Sequence, residues 1–211
     1  MELHRHLGIS YHAAWRMKHK LMQVMMERDE DQKLSGFIEL DDAYLGGERT
    51  GCKPGRGAEG KTPFVAAVQT TDDRRPEKIK LSVVKGFQSS EIEKWCQQHV
   101  TEGSTVISDG LACFNAVTDA GCLHDKIVCG GGRASIEESE FYWVNTILGN
   151  LKSALRGTYH AVRPKYAQRY LSEFQYRFNR RFNLSNFLPR LIFVALRTPP
   201  MSEKLLKIGL A

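Results

Sequence analysis

The chain has 211 residues, 42% of them hydrophobic and 26% charged, the make-up of one substantial globular domain with room for a small appendage. Its net charge of +6 and pI near 9.1 favour polyanionic partners. No apolar stretch nears the roughly 20 residues that span a bilayer, and residues 1–30 lack the apolar run of a secretory signal, so no membrane partner is expected and the cytoplasm is the expected location.

Residues 1–29 read as two helices around a break. Leu3, His6 and Leu7 precede Gly8-Ile9-Ser10, and Ser10 is placed to cap a helix over 11–28. With Arg16, Lys18, His19 and Lys20 on it, this second helix outlines part of a helix-turn-helix. A plain amphipathic pair packed on the next domain is the alternative. A helix-turn-helix needs a further helix to bury its core, so the chain is expected to start partway through such a module. The polar run from Glu27 to Lys33 reads as a linker. The expected division is therefore 1–34 for the partial helix-turn-helix and linker, 35–200 for the main domain, and 201–211 for a tail.

Strand-like segments follow at 37–45, 62–71 and 78–84. The glycine-rich basic loop between the first two, Gly46 to Gly57, lacks Walker spacing and does not lead from a strand into a helix. It reads as a mobile hairpin loop placed to touch a nucleic-acid backbone. A helix from Ser89–Glu91 to about residue 100, with Ser90 as a cap, precedes a strand at 105–108 and a helix at 111–119. A short strand is expected at 126–129, and Gly130-Gly131-Gly132 then opens a flexible segment ending at Glu140. Helices are expected at 141–155 and 164–182. This is an α/β order, suited to a mixed sheet covered by helices. The five cysteines (Cys52, Cys96, Cys113, Cys122 and Cys129) form no Cys-x-x-Cys pair, and they read as reduced, mostly buried thiols.

The first strand ends in Glu39-Leu40-Asp41-Asp42 before a glycine turn, and Thr105-Val106-Ile107-Ser108-Asp109-Gly110 repeats the arrangement. Asp41 alternates in phase with Glu39, while Leu40 and Asp42 point to the other face. A carboxylate near a buried strand needs a cation, a hydrogen-bond network or exposure at the strand end. Asp109-Gly110 alone is also a turn signal. Two strand-end aspartates on a basic chain point to metal-dependent phosphodiester chemistry, in which carboxylates hold ions about 3.5–4 Å apart. Mg²⁺ suits such oxygen ligands.

A third oxygen ligand is expected from the helix over 141–152, which holds no Asp or Glu but carries Asn145 and Asn150. At about 100° per residue, Asn145 and Lys152 fall within about 20° of one face, while Asn150 lies about 140° round. With Lys152 as a phosphate clamp, Asn145 is the preferred third residue and Asn150 the alternative. Basic residues crowd 152–190 with only Glu173 opposing them, and interleaved aromatics make this stretch a candidate phosphate track. The nucleic-acid contacts expected are Arg16, Lys18, Lys20, Arg156, Arg169, Arg177, Arg180 and Arg181.

These residues resemble the insertion-sequence transposases with an ISXO-two-like transposase domain, part of the DDE superfamily. The resemblance rests on Leu7-Gly8-Ile9-Ser10-Tyr11 with Ala14-Trp15-Arg16-Met17, Tyr44-Leu45-Gly46-Gly47 after the aspartate strand, and Ser108-Asp109-Gly110. It continues through Val144-Asn145-Thr146, Gly157-Thr158-Tyr159-His160, and Tyr170-Leu171 to Arg180-Arg181. It implies an RNase H-like fold with Asp41 and Asp109 as the first two metal ligands. Many members place Glu third, in Asn-Thr-x-Glu-Gly, where this chain has Leu148. Counted back from Gly157-Thr158-Tyr159-His160, Asn145 takes that place and Lys152 matches the family's downstream lysine, as in a subgroup with Asn third. Relatives also carry an N-terminal zinc ribbon that is not visible here, so a shortened copy is expected. The implied function is metal-dependent DNA cleavage and strand transfer by a homo-oligomer on double-stranded DNA. Two Mg²⁺ ions are implied, with Mn²⁺ as a substitute. The alternatives are an RNase H-like nuclease and a regulatory remnant that binds DNA without turnover.

Overall fold

Strands β1 (Phe37–Leu45), β2 (Thr62–Thr70), β3 (Pro76–Val83), β4 (Thr105–Ser108) and β5 (Leu123–Lys126) form one mixed sheet in the order 3-2-1-4-5. The computed structural model describes residues 2–46, 60–127 and 141–209. Most of the glycine-rich basic loop and the segment from Gly130 to Glu140 lie outside them. β1 runs antiparallel to β2 and β2 to β3, whereas β4 is parallel to β1 and β5 to β4. The mixed α/β sheet flanked by helices is therefore as expected.

Strand β2 is buried without interruption from Phe64 to Thr70, because helices cover both faces of the sheet. On one face Ile38, Leu40, Val65, Ala67 and Val106 pack against α3 (Ser89–His99) and a 3-10 segment (Ala112–Val117). On the other, Phe64, Ala66, Val68, Ile79 and Ile107 meet Val144, Ile147 and Leu151 of α4 (Tyr142–Ala154) and Leu171 of α5 (Ala167–Phe178). Two short helices, α6 (Phe187–Arg197) and α7 (Glu203–Ile208), end the described chain. Where a helix was expected at 111–119, the chain forms the shorter 3-10 segment. Half of the strand expected at 126–129 lies outside the described residues, and the last strand among them lies at Leu123–Lys126. It is an edge strand with a largely exposed surface, so hydrophobicity does not mark it. Cys96, Cys113 and Cys122 are buried.

The outer edge of β3 is covered by amide side chains. Ile79, Leu81 and Val83 donate their backbone N–H groups to Asn179, Gln175 and Gln168 of α5 and its C-cap, at 2.7–2.8 Å. Asn179 and Gln168 donate in return to the carbonyls of Ile79 and Leu81. An edge strand offers unpaired backbone groups to any passing strand; here one helix face closes it.

At the N-terminal end, α1 (Glu2–Leu7) and α2 (Tyr11–Glu30) flank the Gly8 turn, and Ser10 caps α2 by accepting from Ala13. The helix runs on to Glu30, into the segment expected as a linker. Its last turn is held because Asp29, 1% exposed, pairs with Arg180 at 2.8 Å and accepts from Gln175. Lys80 adds to this by donating to the carbonyls of Asp29 and Glu30. The segment expected as a tail contains α7, whose Leu206 is fully buried.

His19 on α2 is fully buried among the rings of Trp15, Tyr166 and Tyr170, and neither ring nitrogen has a hydrogen-bond partner. Burial, with Lys18 and Arg169 nearby, lowers its pKa from 6.5 to about 4. The folded imidazole thus resists a proton that the unfolded chain accepts, so its contribution is complete above pH 6.5 and lost as pH falls toward 4. Thermal melts across that window should show the wild type losing more stability than His19→Leu. A second expected outcome concerns the buried pair: Asp29→Ala strands the Arg180 guanidinium and should lower unfolding free energy by about 3 kcal/mol in denaturant melts.

Candidate active site

The parallel register of β1 and β4 pairs Leu40 with Ser108. The next residue in the chain is an aspartate in each case, so Asp41, still within β1, stands beside Asp109, where β4 has ended. The chain returns through β2 and β3 on one side of this point and through β4 and β5 on the other. It is the topological switch point, the place where open α/β sheets collect ligands at the C-terminal ends of their strands.

Carboxylate oxygens of Asp41, Asp42 and Asp109 lie within 4.8 Å of one another, and all three residues are half-buried. Two of the three also shape their own backbone. Asp41 accepts from the N–H of Asp42 at 2.8 Å, and Asp109 accepts from Leu111 at 3.0 Å, closing the turn that Asp109-Gly110 signalled. Three oxygen donors of this kind fit a hard divalent cation. Ser108, fully buried, sits 2.8 Å from Nε2 of His124 on β5 and packs the next strand against the end of β4.

A cleft of about 530 Å³ opens beside Asp41 and Asp42, with Asn145, Gly149 and Lys152 of α4 on its far wall. The helical face drawn from Asn145 to Lys152 is the face presented to the aspartates. Asn150 is exposed and does not line the cleft, while Leu148 does.

Helix α4 is set in place by Glu39, two residues before Asp41 on the same side of β1. Glu39 is 3% exposed, and its Oε2 accepts from the N–H of Val144 at 2.8 Å, in the first turn of a helix with no side-chain cap of its own. Burial raises the Glu39 pKa to about 7, against the pull of the Val144 and Trp143 amides.

Two cleft residues were not singled out from sequence. Asp42 was assigned to the opposite face by strand alternation. Because β4 stops at Ser108 while β1 continues to Leu45, the two faces communicate around the strand end and Asp42 joins the cluster. Lys61 also lines the cleft. Gly46 takes φ +115°, and an added Cβ would meet the Gly60 carbonyl at 3.1 Å. That close approach brings Lys61, at the start of the next strand, alongside the end of β1. The adjacent Asp-Asp pair was a usable signal for the first residue; the second had none.

The expected nucleic-acid contacts divide sharply. Lys20, Arg156 and Arg177 are exposed, the last beside Glu173 at 2.6 Å. Arg16 reaches Glu203 at 3.4 Å. Lys18 donates to the Tyr170 hydroxyl and lies over the rings of Tyr159 and Tyr170, and burial lowers its pKa against the opposing influence of Tyr11 and Glu173. Arg169 is not on a DNA-facing surface: it is 2% exposed and donates to Gln23 and the Leu206 carbonyl, tying α5 to α2 and α7. Arg180 is held by Asp29, and Arg181 donates to the carbonyls of Pro76, Glu77 and Phe178. These three guanidiniums are struts of the fold.

The family described as the ISXO2-like transposase domain matches residues 33–179. Among solved structures, the chain is similar to the catalytic core domain of BIV integrase, at 14% identity and a TM-score of 0.39, over 65% of this chain and 80% of that one. It is also similar to the Mos1 transposase in a paired-end complex with the left transposon end, at 8% identity and a TM-score of 0.30. That match covers 89% of this chain and 63% of the Mos1 chain, less than two thirds of its length. With the catalytic domain of Mos1 mariner transposase it shares 8% identity and a TM-score of 0.30, over 85% of this chain and 93% of that one. No curated protein matches the chain.

Removing the Glu39 carboxylate strands the Val144 N–H in the interior. Glu39→Ala should lower unfolding free energy by about 1–3 kcal/mol, and Glu39→Gln, which keeps an acceptor, should recover most of it in the same denaturant titration.

Proposed function

This chain belongs to the ISXO2-like transposase domain family, and we propose that it carries out metal-dependent cleavage and strand transfer of DNA. The observation that supports this most directly is the convergence of Asp41, Asp42 and Asp109 at the switch point of the sheet, next to a cleft walled by Asn145, Lys61 and Lys152. The three carboxylates are the residues that would hold divalent cations, read as two Mg²⁺ ions with Mn²⁺ as a substitute. A cation bound there supplies charge neutralisation and Lewis-acid polarisation at the scissile phosphate.

The chain's own residues do the rest. Asn145 offers an uncharged oxygen from the opposite wall and completes the donor set. Lys152 and Lys61 attract and orient a phosphate that the aspartates alone would repel. Glu39 anchors the N-terminal end of α4, and so fixes where Asn145 and Lys152 stand relative to Asp41. Exposed Lys20, Arg156 and Arg177 extend the positive surface along which a DNA backbone lies. Double-stranded DNA is the partner in this reading, both as insertion-sequence ends and as target, and the working form is a homo-oligomer in the cytoplasm. No helix among the described residues is long and apolar enough to cross a membrane.

Asp41→Ala and Asp109→Ala should each reduce Mg²⁺-dependent cleavage of a DNA duplex carrying the element's end by about a thousandfold or more, the rate equivalent of several kcal/mol. Asn145→Ala should also cut the rate, while Asn150→Ala leaves it near wild type. Gel-resolved strand cleavage and joining measures all four variants. Undiminished cleavage by either aspartate variant would refute the assignment.

A further inference from the structure

A cleft of about 950 Å³ shares no lining residue with the aspartate cleft. It lies where the end of α2, the start of β3, the end of α5 and the start of α6 meet. Lys78 on its wall pairs with Gln69, and Gln69 with Ile38. Asp41 and Asp42 pair instead with Ala66 and Val65, and these in turn with Leu81 and Ser82. Three to four residues along the strands and two strands across place Lys78 about 15 Å from the aspartates.

The composition of this cleft is one-sided. Arg28, Lys78, Arg180 and Arg190 line it, and no acidic residue does. Arg180 is balanced by Asp29 behind it, but among the described residues Arg28, Lys78 and Arg190 have no carboxylate partner. Asn183 and Asn186 add amide groups that both donate and accept, while the Asn179 amide is engaged by the Ile79 backbone. The first turn of the eleven-residue α6 opens there without a side-chain cap, which adds the partial positive charge of a helix N-terminus. Phe193 stands 52% exposed in the same cleft, with the Arg197 guanidinium over its ring at 3.8 Å.

A single small anion would leave most of this volume unfilled. Fixed cations, amides and an exposed aromatic ring along one groove are what a nucleic-acid strand engages, through phosphates, sugars and base faces. We infer that this cleft is a second DNA site, binding the phosphodiester backbone of a segment remote from the point of cleavage. The inference rests on the proposed DNA reading and extends it: DNA seated in this cleft is located on the protein before its cut site reaches the aspartates.

The test uses the full chain and two fluorescein-labelled probes, a DNA duplex and a single strand, titrated over a series of salt concentrations. Arg28→Gln/Arg190→Gln removes two exposed charges, and its thermal melt should match the wild type. The slope of log affinity against log salt should become shallower by about 1.8 on duplex or about 1.4 on a single strand, at about 0.9 and about 0.7 per lost phosphate contact. The probe that shows the change identifies the form of DNA held. Phe193→Ala should weaken binding severalfold with the slope unchanged, because stacking carries no counterion release. An unaltered slope in the double variant, with the wild type still cleaving DNA in Mg²⁺, overturns the second site and leaves the catalytic reading standing. An altered slope without any wild-type cleavage supports the second site and overturns the catalytic reading. Labelled poly-glutamate titrated in parallel is the control: loss of its binding in the double variant without loss of DNA binding would overturn the inference in favour of an acidic protein ligand.

Discussion

The pairing of Leu40 with Ser108 in a parallel register is the constraint on which the site depends. A slip of one residue would turn the core side chains of the slipped strand to the wrong face, and the register that sets Asp41 beside Asp109 would be lost. Burial guards against such a slip. Leu40 and Val106 belong to the core under α3, whereas Glu39 and Ile107 face α4. Both faces of both strands are therefore committed. The carboxylates come together at the one place where β4 has ended and β1 continues, so they leave the low-dielectric interior while their backbones stay fixed.

Glu39 connects that constraint to the opposite wall of the cleft. A buried acid with a raised pKa is costly in an apolar core, and here its oxygen is matched to the amides that begin α4. The same short stretch of β1 thus supplies Asp41 and Asp42 to the cluster and, through Glu39, the anchor for the helix bearing Asn145 and Lys152. The distance between the two walls is set by one strand rather than by a loop.

The positive charge of the molecule has two uses. Arg169, Arg180 and Arg181 satisfy buried acceptors or carbonyls at the junction of α2, α5 and β3. Their neighbours Arg156, Arg177 and Arg190 remain at the surface. Nothing in the spacing of the run from 152 to 190 distinguishes the two groups, because the partners of the first lie on distant segments: Asp29, Gln23, Pro76 and Leu206. A charge run read alone looks uniformly solvated, and only the packed partners show which members hold the fold together.

Local pattern alone was enough to place β1, β2, α3, β4 and α4 to within a residue or two. It also put Asn145 with Lys152 and apart from Asn150, since helical and strand periodicities are properties of adjacent residues. The pairing of Asp41 with Asp109, the recruitment of Asp42 and Lys61, the burial of Arg169 and the placement of β5 were decided by tertiary structure. Each depends on where a second, remote segment stops or packs, and the free energy that fixes such a contact comes from burial shared between segments, which no single stretch of sequence contains.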